Sequence, residues 1–215
     1  MFPKGIIFDL DGVICSTDAY HYQAWKMLAE RLSIPFNQQT NDLMRGVSRM
    51  ESLEILLQQY TGPSLNDRQK GILADQKNLF YLESLKKLSN KSLFPKVFDT
   101  LQQLRAKGIL LAIGSSSKNA PFILHQIGLS DYFDAVSDGN CITHSKPDPE
   151  VFLHAAELLG CNPSECIVVE DALSGVCAGH AGGFIVACLG NASLQGAGDY
   201  NLKEFHDLLS LIDAL

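Results

Sequence analysis

Several things are scarce in this 215-residue chain, and each shortage removes a class of function. No apolar run approaches the ~20 residues that a membrane-spanning helix needs. Basic residues are outnumbered, with 17 Lys and Arg against 24 Asp and Glu. The resulting net charge of −7 argues against nucleic acid or an anionic membrane as a partner. An anionic substrate must therefore meet a local basic cluster. None of the six cysteines forms a Cys-x-x-Cys pair, which argues against zinc and fits a reduced, cytoplasmic protein. Repeats and low-complexity tracts are missing. The opening Met1-Phe2-Pro3-Lys4 runs straight into an apolar stretch and leaves no room for a signal peptide. Hydrophobic residues make up 46% and charged ones 19%, enough for a core and no mark of disorder. The length fits one large domain or two small ones.

Five apolar runs read as strands: Gly5–Phe8, Leu110–Gly114, Ala135–Ser137, 167–170 and 184–188. Most are unbroken rather than alternating, as in a parallel sheet covered on both faces. Helix-like segments over 97–107, 119–126 and 149–159 separate the later runs. Each is followed by a glycine (Gly108, Gly128, Gly160) suited to a left-handed cap. The pattern predicts an α/β fold, a doubly wound, Rossmann-like parallel-sheet core domain. The first strand stands apart. About a hundred residues follow it before the next one, and they read as helices: 19–32 capped by Asp18, one opened by the capping-box spacing of Ser48 and Glu51 and running through 59, and 66–88. That block predicts an inserted α-helical cap domain over 16–92 on a core of 1–15 and 93–215. The hinges fall near 15–18, which contains Thr17, and near 89–95. A cleft between two such domains is a natural substrate site.

In a doubly wound sheet, ligands bind at the carboxyl ends of the strands, so the polar residues there can be read in order. Asp9 and Asp11 follow the first strand, and Gly12 lets the backbone turn away. Two carboxylates that close favour a bound cation or a retained proton. Ser115-Ser116-Ser117-Lys118-Asn119 follows the second strand and enters a helix. Hydroxyls and free N–H groups there suit an anion, though a plain Ser N-cap reads the same. Lys146 precedes Pro147 in a loop, where an isolated lysine is ordinarily just solvated. Glu170-Asp171 ends the fourth run and offers hard ligands for Mg²⁺, although acids near a helix start are also common dipole partners. Together these supply a carboxylate nucleophile, a second carboxylate, an anion cradle, a countercharge and metal ligands, which is what phosphoryl transfer requires.

The set Asp9-x-Asp11-Gly-Val, Ser115, Lys146-Pro147 and Glu170-Asp171 resembles the four motifs of the haloacid dehalogenase superfamily. Thr17, Tyr20-His21, Ala24-Trp25, Gly46-Val47-Ser48-Arg49, Lys77-Asn78 and the 115–122 stretch make it similar to the β-phosphoglucomutase branch over essentially the whole chain. The resemblance implies that Asp9 is the nucleophile and Asp11 the general acid/base. It implies Mg²⁺ as cofactor, held by Asp9, Asp11 through its carbonyl and Asp171, with Glu170 close by. Ser115, Ser116 and Lys146 would hold the reacting phosphoryl. Arg49, Ser117 and Asn119 would hold a second phosphate, with Lys118 lining that loop. His21, Lys77, Trp25, Gly46, Val47 and Ser48 would complete the substrate site, with Trp25 also readable as cap core. The partner would be a small sugar phosphate, and a moving cap favours a monomer. Ser16, Met50 and Arg45 depart from the branch's usual Asp, acidic residue and Lys. A phosphatase, with water as second acceptor, stays open as the alternative.

Overall fold

The computed structural model describes residues 3–215. Its strands are β1 (Gly5–Phe8), β2 (Leu110–Gly114), β3 (Ala135–Ser137), β4 (Cys166–Glu170), β5 (Ile185–Cys188) and β6 (Tyr200–Asn201). All pair in parallel, in the order β3-β2-β1-β4-β5-β6. The first strand of the chain is thus central, with β2 on one side and β4 on the other, and the chain reverses its winding direction there. Phe8 lies level with Ile113 and Val169, so Asp9, Gly114 and Glu170 form the next rung.

The unbroken apolar runs follow from burial on both faces. Ile6 and Phe8 of β1 point into one core with Leu111, Ile113, Ile167 and Val169, while Ile7 points into the other with Ala112 and Val168. Among the described residues ten α-helices accompany the sheet: α1 (Asp18–Arg31), α2 (Gln38–Asp42), α3 (Arg49–Leu57), α4 (Asp67–Leu85), α5 (Val97–Ala106), α6 (Ala120–Gln126), α7 (Glu150–Leu159), α8 (Leu173–Ala181), α9 (Gly190–Leu194) and α10 (Asp207–Ala214). Helices α5, α6 and α10 cover the first face, and α7 and α8 the second. None of the described helices is long and apolar enough to cross a membrane.

Helices α1 to α4 all lie between β1 and β2, as the long gap between the first two strands requires. They enclose a hydrophobic cluster of their own, built on Trp25, Leu28, Ala29, Met44, Leu53, Leu56 and Ala74. Ala24, Tyr81 and Leu85 belong instead to the main core, so α1 and α4 are rooted in it. The chain's entry to the block and its exit are adjacent. Cys15 and Leu93 form an antiparallel bridge, and Phe94 N–H donates to Ile14 O at 3.1 Å.

Some expected details need correction. Asp18 does not cap α1; Thr17 holds that position, and the Asp18 carboxylate accepts from Arg45 at 2.8 Å and Asn41 at 3.1 Å. Tertiary charge pairing wins over a local cap there. Helix α3 stops at Leu57 and α4 at Leu85, each short of the expected end. The expected box at Ser48 forms in both directions, at 3.2 and 2.8 Å. Strand β6 is too short to show a period, and α2 and α9 span five residues each. Helix α10, which the strand-and-helix pattern above does not include, carries Leu208, Leu209 and Ile212 at helical spacing.

Leu28 is fully buried at the centre of the cap cluster. Leu28→Ala should lower the stability of the block by about 2–5 kcal/mol. Urea unfolding followed by Trp25 fluorescence measures it, since the indole shares that cluster.

Candidate active site

The cleft between sheet edge and helical block has a volume of about 1250 Å³. Its floor is the rung beyond β1. Lys146 Nζ donates to Asp9 Oδ1 at 2.6 Å, to Glu170 Oε1 at 2.6 Å and to Gly114 O at 3.0 Å. One ammonium therefore spans the ends of three adjacent strands. It is fully buried and sits 4.5 Å above the Phe152 ring. Burial alone pulls its pKa down, but Asp9 and Glu170 outweigh this and hold it protonated, above the usual lysine range. Glu170 is fixed at both oxygens, since Oε2 accepts the N–H groups of Asp171 at 2.9 Å and Ala172 at 3.0 Å. Gly175 makes room for it; any Cβ there would overlap the Glu170 carboxylate.

Carboxylate oxygens of Asp9, Glu170 and Asp171 lie within 4.8 Å of one another. Burial raises the Asp9 pKa to about 7 despite Lys146, and Glu170 adds to the rise. Burial, then Glu170 and Asp9, raise Asp171 to about 8. Three acids facing one ammonium are short of positive charge. Hard oxygen donors in that state fit a divalent metal of the magnesium type and not a soft one. The Asp11 carboxylate is outside this cluster; Oδ1 accepts from Thr17 N–H at 2.6 Å and Oδ2 from the Thr17 hydroxyl at 2.6 Å. Burial raises its pKa as well, against those two bonds. Gly12, with φ +96°, turns the backbone where a side chain would collide with Asp171.

The serine loop forms one wall. Ser115 is buried, and its Oγ accepts Ser117 N–H at 3.2 Å; Ser117 Oγ accepts Asn119 N–H at 3.2 Å. Helix α6 has no side-chain cap bond, so the plain N-cap reading of these serines fails. Ser116 Oγ is buried without a protein partner, as expected of a hydroxyl kept for a ligand. Lys118 and Asn119 also line the cleft, and Asn119 Nδ2 donates to Asn78 Oδ1 on α4 at 2.9 Å.

The helical block supplies the roof. Gly46, Val47, Ser48, Arg49 and His21 line it. Arg49 Nη1 is 3.8 Å from Asp75, one turn before Asn78 on α4, so Arg49 and Asn119 are drawn to one stretch of that helix. His21 Nδ1 lies 2.8 Å from Lys77 Nζ, and His21 Nε2 lies 4.0 Å from Asp11 Oδ2. Lys77 is buried between the Trp25 and Tyr81 rings, at 4.7 and 4.5 Å. Burial drives His21 and Lys77 well below their usual pKa ranges, and neighbouring Lys77 and Arg49 push the same way. Trp25 is nearly inaccessible and acts mainly as cap core, with an edge on the cleft.

Sequence reasoning gave no role to Tyr81, Asn78, Arg45 or Ser145. Tyr81 O–H donates to the Thr17 hydroxyl at 2.9 Å, which sends the Thr17 proton to Asp11. Arg45 reaches from Asp18 to within 4.0 Å of Asp171. Asn78, Arg45 and Ser145 fall within or beside stretches the resemblance rests on, but only the folded cleft shows what their side chains touch.

A family model described as haloacid dehalogenase-like hydrolase matches residues 3–183. The chain belongs to that family. Among other members, the β-phosphoglucomutase of Bacillus subtilis is 37% identical over 95% of this chain and 91% of its own. A phosphorylated carbohydrates phosphatase of Thermotoga maritima is 31% identical over 84% of this chain and 82% of its own. The crystal structure of a β-phosphoglucomutase from Clostridium difficile superposes with a TM-score of 0.93 at 31% identity, covering 99% of this chain and 96% of that one. The likeness spans core and helical block alike.

The raised acids make metal binding depend on pH. Free Asp titrates near ~4. The folded, metal-free protein with Asp9 near 7 and Asp171 near 8 thus holds more protons than the unfolded chain between those values. That contribution to stability is complete at low pH and is lost as pH rises through 7 to 8. Mg²⁺ should therefore raise the melting temperature strongly at about pH 8.5 and little at about pH 5.5. A Mg²⁺ effect equal at both pH values, measured by calorimetry against a chelator control, would contradict the assignment.

Proposed function

We propose that this enzyme is a sugar phosphomutase interconverting β-D-glucose 1-phosphate and D-glucose 6-phosphate through a phosphoaspartate and glucose 1,6-bisphosphate. The observation that carries this is a cleft with two separate anion-binding ends. Lys146, Ser115 and the unpartnered Ser116 hydroxyl surround Asp9. Arg49 and Asn119 meet along α4 at the other end. A bisphosphate needs both ends filled in either orientation, whereas hydrolysis needs only the first. The B. subtilis and C. difficile relatives, matched across both domains, support the same reading.

In the reaction, an Asp9 carboxylate oxygen attacks one phosphorus of the bisphosphate, and the bond from that phosphorus to the sugar oxygen breaks to release a sugar monophosphate. Asp11 gives that oxygen its proton. The free hydroxyl of a sugar monophosphate bound the other way round then loses a proton to Asp11 and attacks the aspartyl phosphate, which reforms the bisphosphate and returns Asp9 as carboxylate. Asp11 must exchange its two Thr17 bonds for the sugar oxygen to do this. General acid/base help of this kind contributes roughly 10²–10⁴-fold. Lys146 and the serine loop hold the moving phosphoryl oxygens. Asp9, Asp171 and the Asp11 carbonyl would hold Mg²⁺, with Glu170 fixed behind them. When bound, that ion supplies the charge the three acids lack and balances the phosphoryl oxygens.

Residues 16–92 act as a cap over a core of 1–15 and 93–215. The adjacent crossings at Cys15 and Leu93, next to Thr17, support a hinge there. We place the enzyme in the cytoplasm as a monomer that handles small sugar phosphates and no nucleic acid, as its acidic charge favours.

The test is to supply Mg²⁺, β-glucose 1-phosphate and a trace of bisphosphate, and to compare glucose 6-phosphate with free phosphate. The mutase yields mainly glucose 6-phosphate; mainly free phosphate would put the phosphatase reading ahead. Arg49→Ala should weaken sugar phosphate binding by about 1.5–3 kcal/mol, the value of one charged hydrogen-bonding contact. Hydrolysis should rise relative to isomerisation in that variant, and unchanged mutase efficiency would place the second phosphate site elsewhere.

A further inference from the structure

Two clamps hold the two ends of the cleft, and the distance between them has to be set by something. Lys146 is immovable, tied to three strand ends. Arg49 is the first residue of α3, which belongs to the helical block. The residue beside Lys146 connects the two. The Ser145 hydroxyl donates to Glu51 Oε2, and Ser145 Oγ also accepts Ser48 N–H at 3.3 Å. Ser48 and Glu51 are the two halves of the α3 capping box, where Glu51 Oε2 accepts Ser48 N–H at 2.8 Å and Ser48 Oγ accepts Glu51 N–H at 3.2 Å. Arg49 is held inside that four-residue turn. Partial burial acts upward on the Glu51 pKa and is the largest single influence, but the hydrogen bonds from Ser145 and Ser48 together outweigh it and bring the pKa down, so the acceptor is an ionised carboxylate.

We infer that Ser145 is a positioning residue that sets the span between the two phosphate clamps by seating the α3 capping turn beside Lys146. A bisphosphate that must bind in either direction requires one fixed span. A small donor that leaves the Arg49 clamp empty, such as acetyl phosphate, does not sense it. The inference rests on the mutase reading of this cleft and adds to it the residue that matches the two ends. Other contacts cross the cleft, from Asn119 to Asn78 and from Ser174 Oγ to Arg45 O at 3.1 Å, but neither touches the turn that carries Arg49 or the loop that carries Lys146.

The experiment compares wild type, Ser145→Ala and Ser145→Thr with two phosphoryl donors. One is β-glucose 1-phosphate with catalytic bisphosphate and Mg²⁺; the other is acetyl phosphate with Mg²⁺. Ser145 lies partly exposed in a loop, and Ser145→Ala leaves the capping box intact, so the variant should fold; an unchanged melting temperature checks this. Loss of one hydrogen bond to a charged acceptor should lower kcat/KM for the sugar phosphate about 10-fold to 100-fold. The loss with acetyl phosphate should be several-fold smaller, and Ser145→Thr, which keeps the hydroxyl, should recover most of the sugar phosphate rate. Equal losses with both donors would make Ser145 a general support of Lys146 and overturn the inference, as would no loss at all. The wild-type product ratio tests the mutase reading by itself. If wild type released only free phosphate, that reading would fail, while the donor comparison would still report on Ser145.

Discussion

A single buried ammonium joins the strand ends on which this site is built. Lys146 bonds to the residue after β1, the last residue of β2 and the last residue of β4. A charge out of water carries a penalty of several kcal/mol, and truncating one member of such a set typically destabilises by about 3–5 kcal/mol. The parallel register makes the arrangement possible, because it brings Asp9, Gly114 and Glu170 level. Lys146 fixes Asp9 while partly offsetting the burial that raises its pKa. Asp9 is thus held in place for the nucleophilic role proposed above, and the excess of acid around it suits a cation.

Charge is divided between floor and roof. The floor carries an excess of acid at Asp9, Glu170 and Asp171. The roof carries Arg49, Lys77 and His21, whose burial disfavours their charged forms. A sugar phosphate between them would relieve the roof, and a divalent cation would relieve the floor. Each half of the site is strained electrostatically until its ligand arrives. This fits a protein whose net charge of −7 gives no long-range attraction to anions. Recognition must come from a few cations at short range, and Arg49 and Lys77 on the cleft are placed to supply it.

The core was legible because its signals are local. Unbroken apolar runs mark strands buried on both faces, and the polar residue after each run falls at the one edge where ligands bind. Asp9, Ser115, Lys146 and Glu170-Asp171 all lie there. The capping box at Ser48 was legible for the same reason. What the sequence hid is long-range. Asp18 looks like a cap until α2 and the residues before α3 bring Asn41 and Arg45 to it. Tyr81 reads as one apolar helix residue among many, yet its hydroxyl orients Thr17 toward Asp11. Trp25 and Lys77 both line the cleft, as their reading as sugar contacts requires, but their packing on each other within the block is a long-range contact the sequence does not display. Ser145 sits beside a motif and shows its role only once α3 lies against it.

The central claim is that phosphate passes through a covalent bond to Asp9. During turnover with sugar bisphosphate and Mg²⁺, the acyl phosphate can be reduced by borohydride and the protein mapped by peptide mass spectrometry. The account predicts that position 9 is converted to homoserine, and only while substrate is present. Conversion at another carboxylate, or none under conditions of steady turnover, would contradict it.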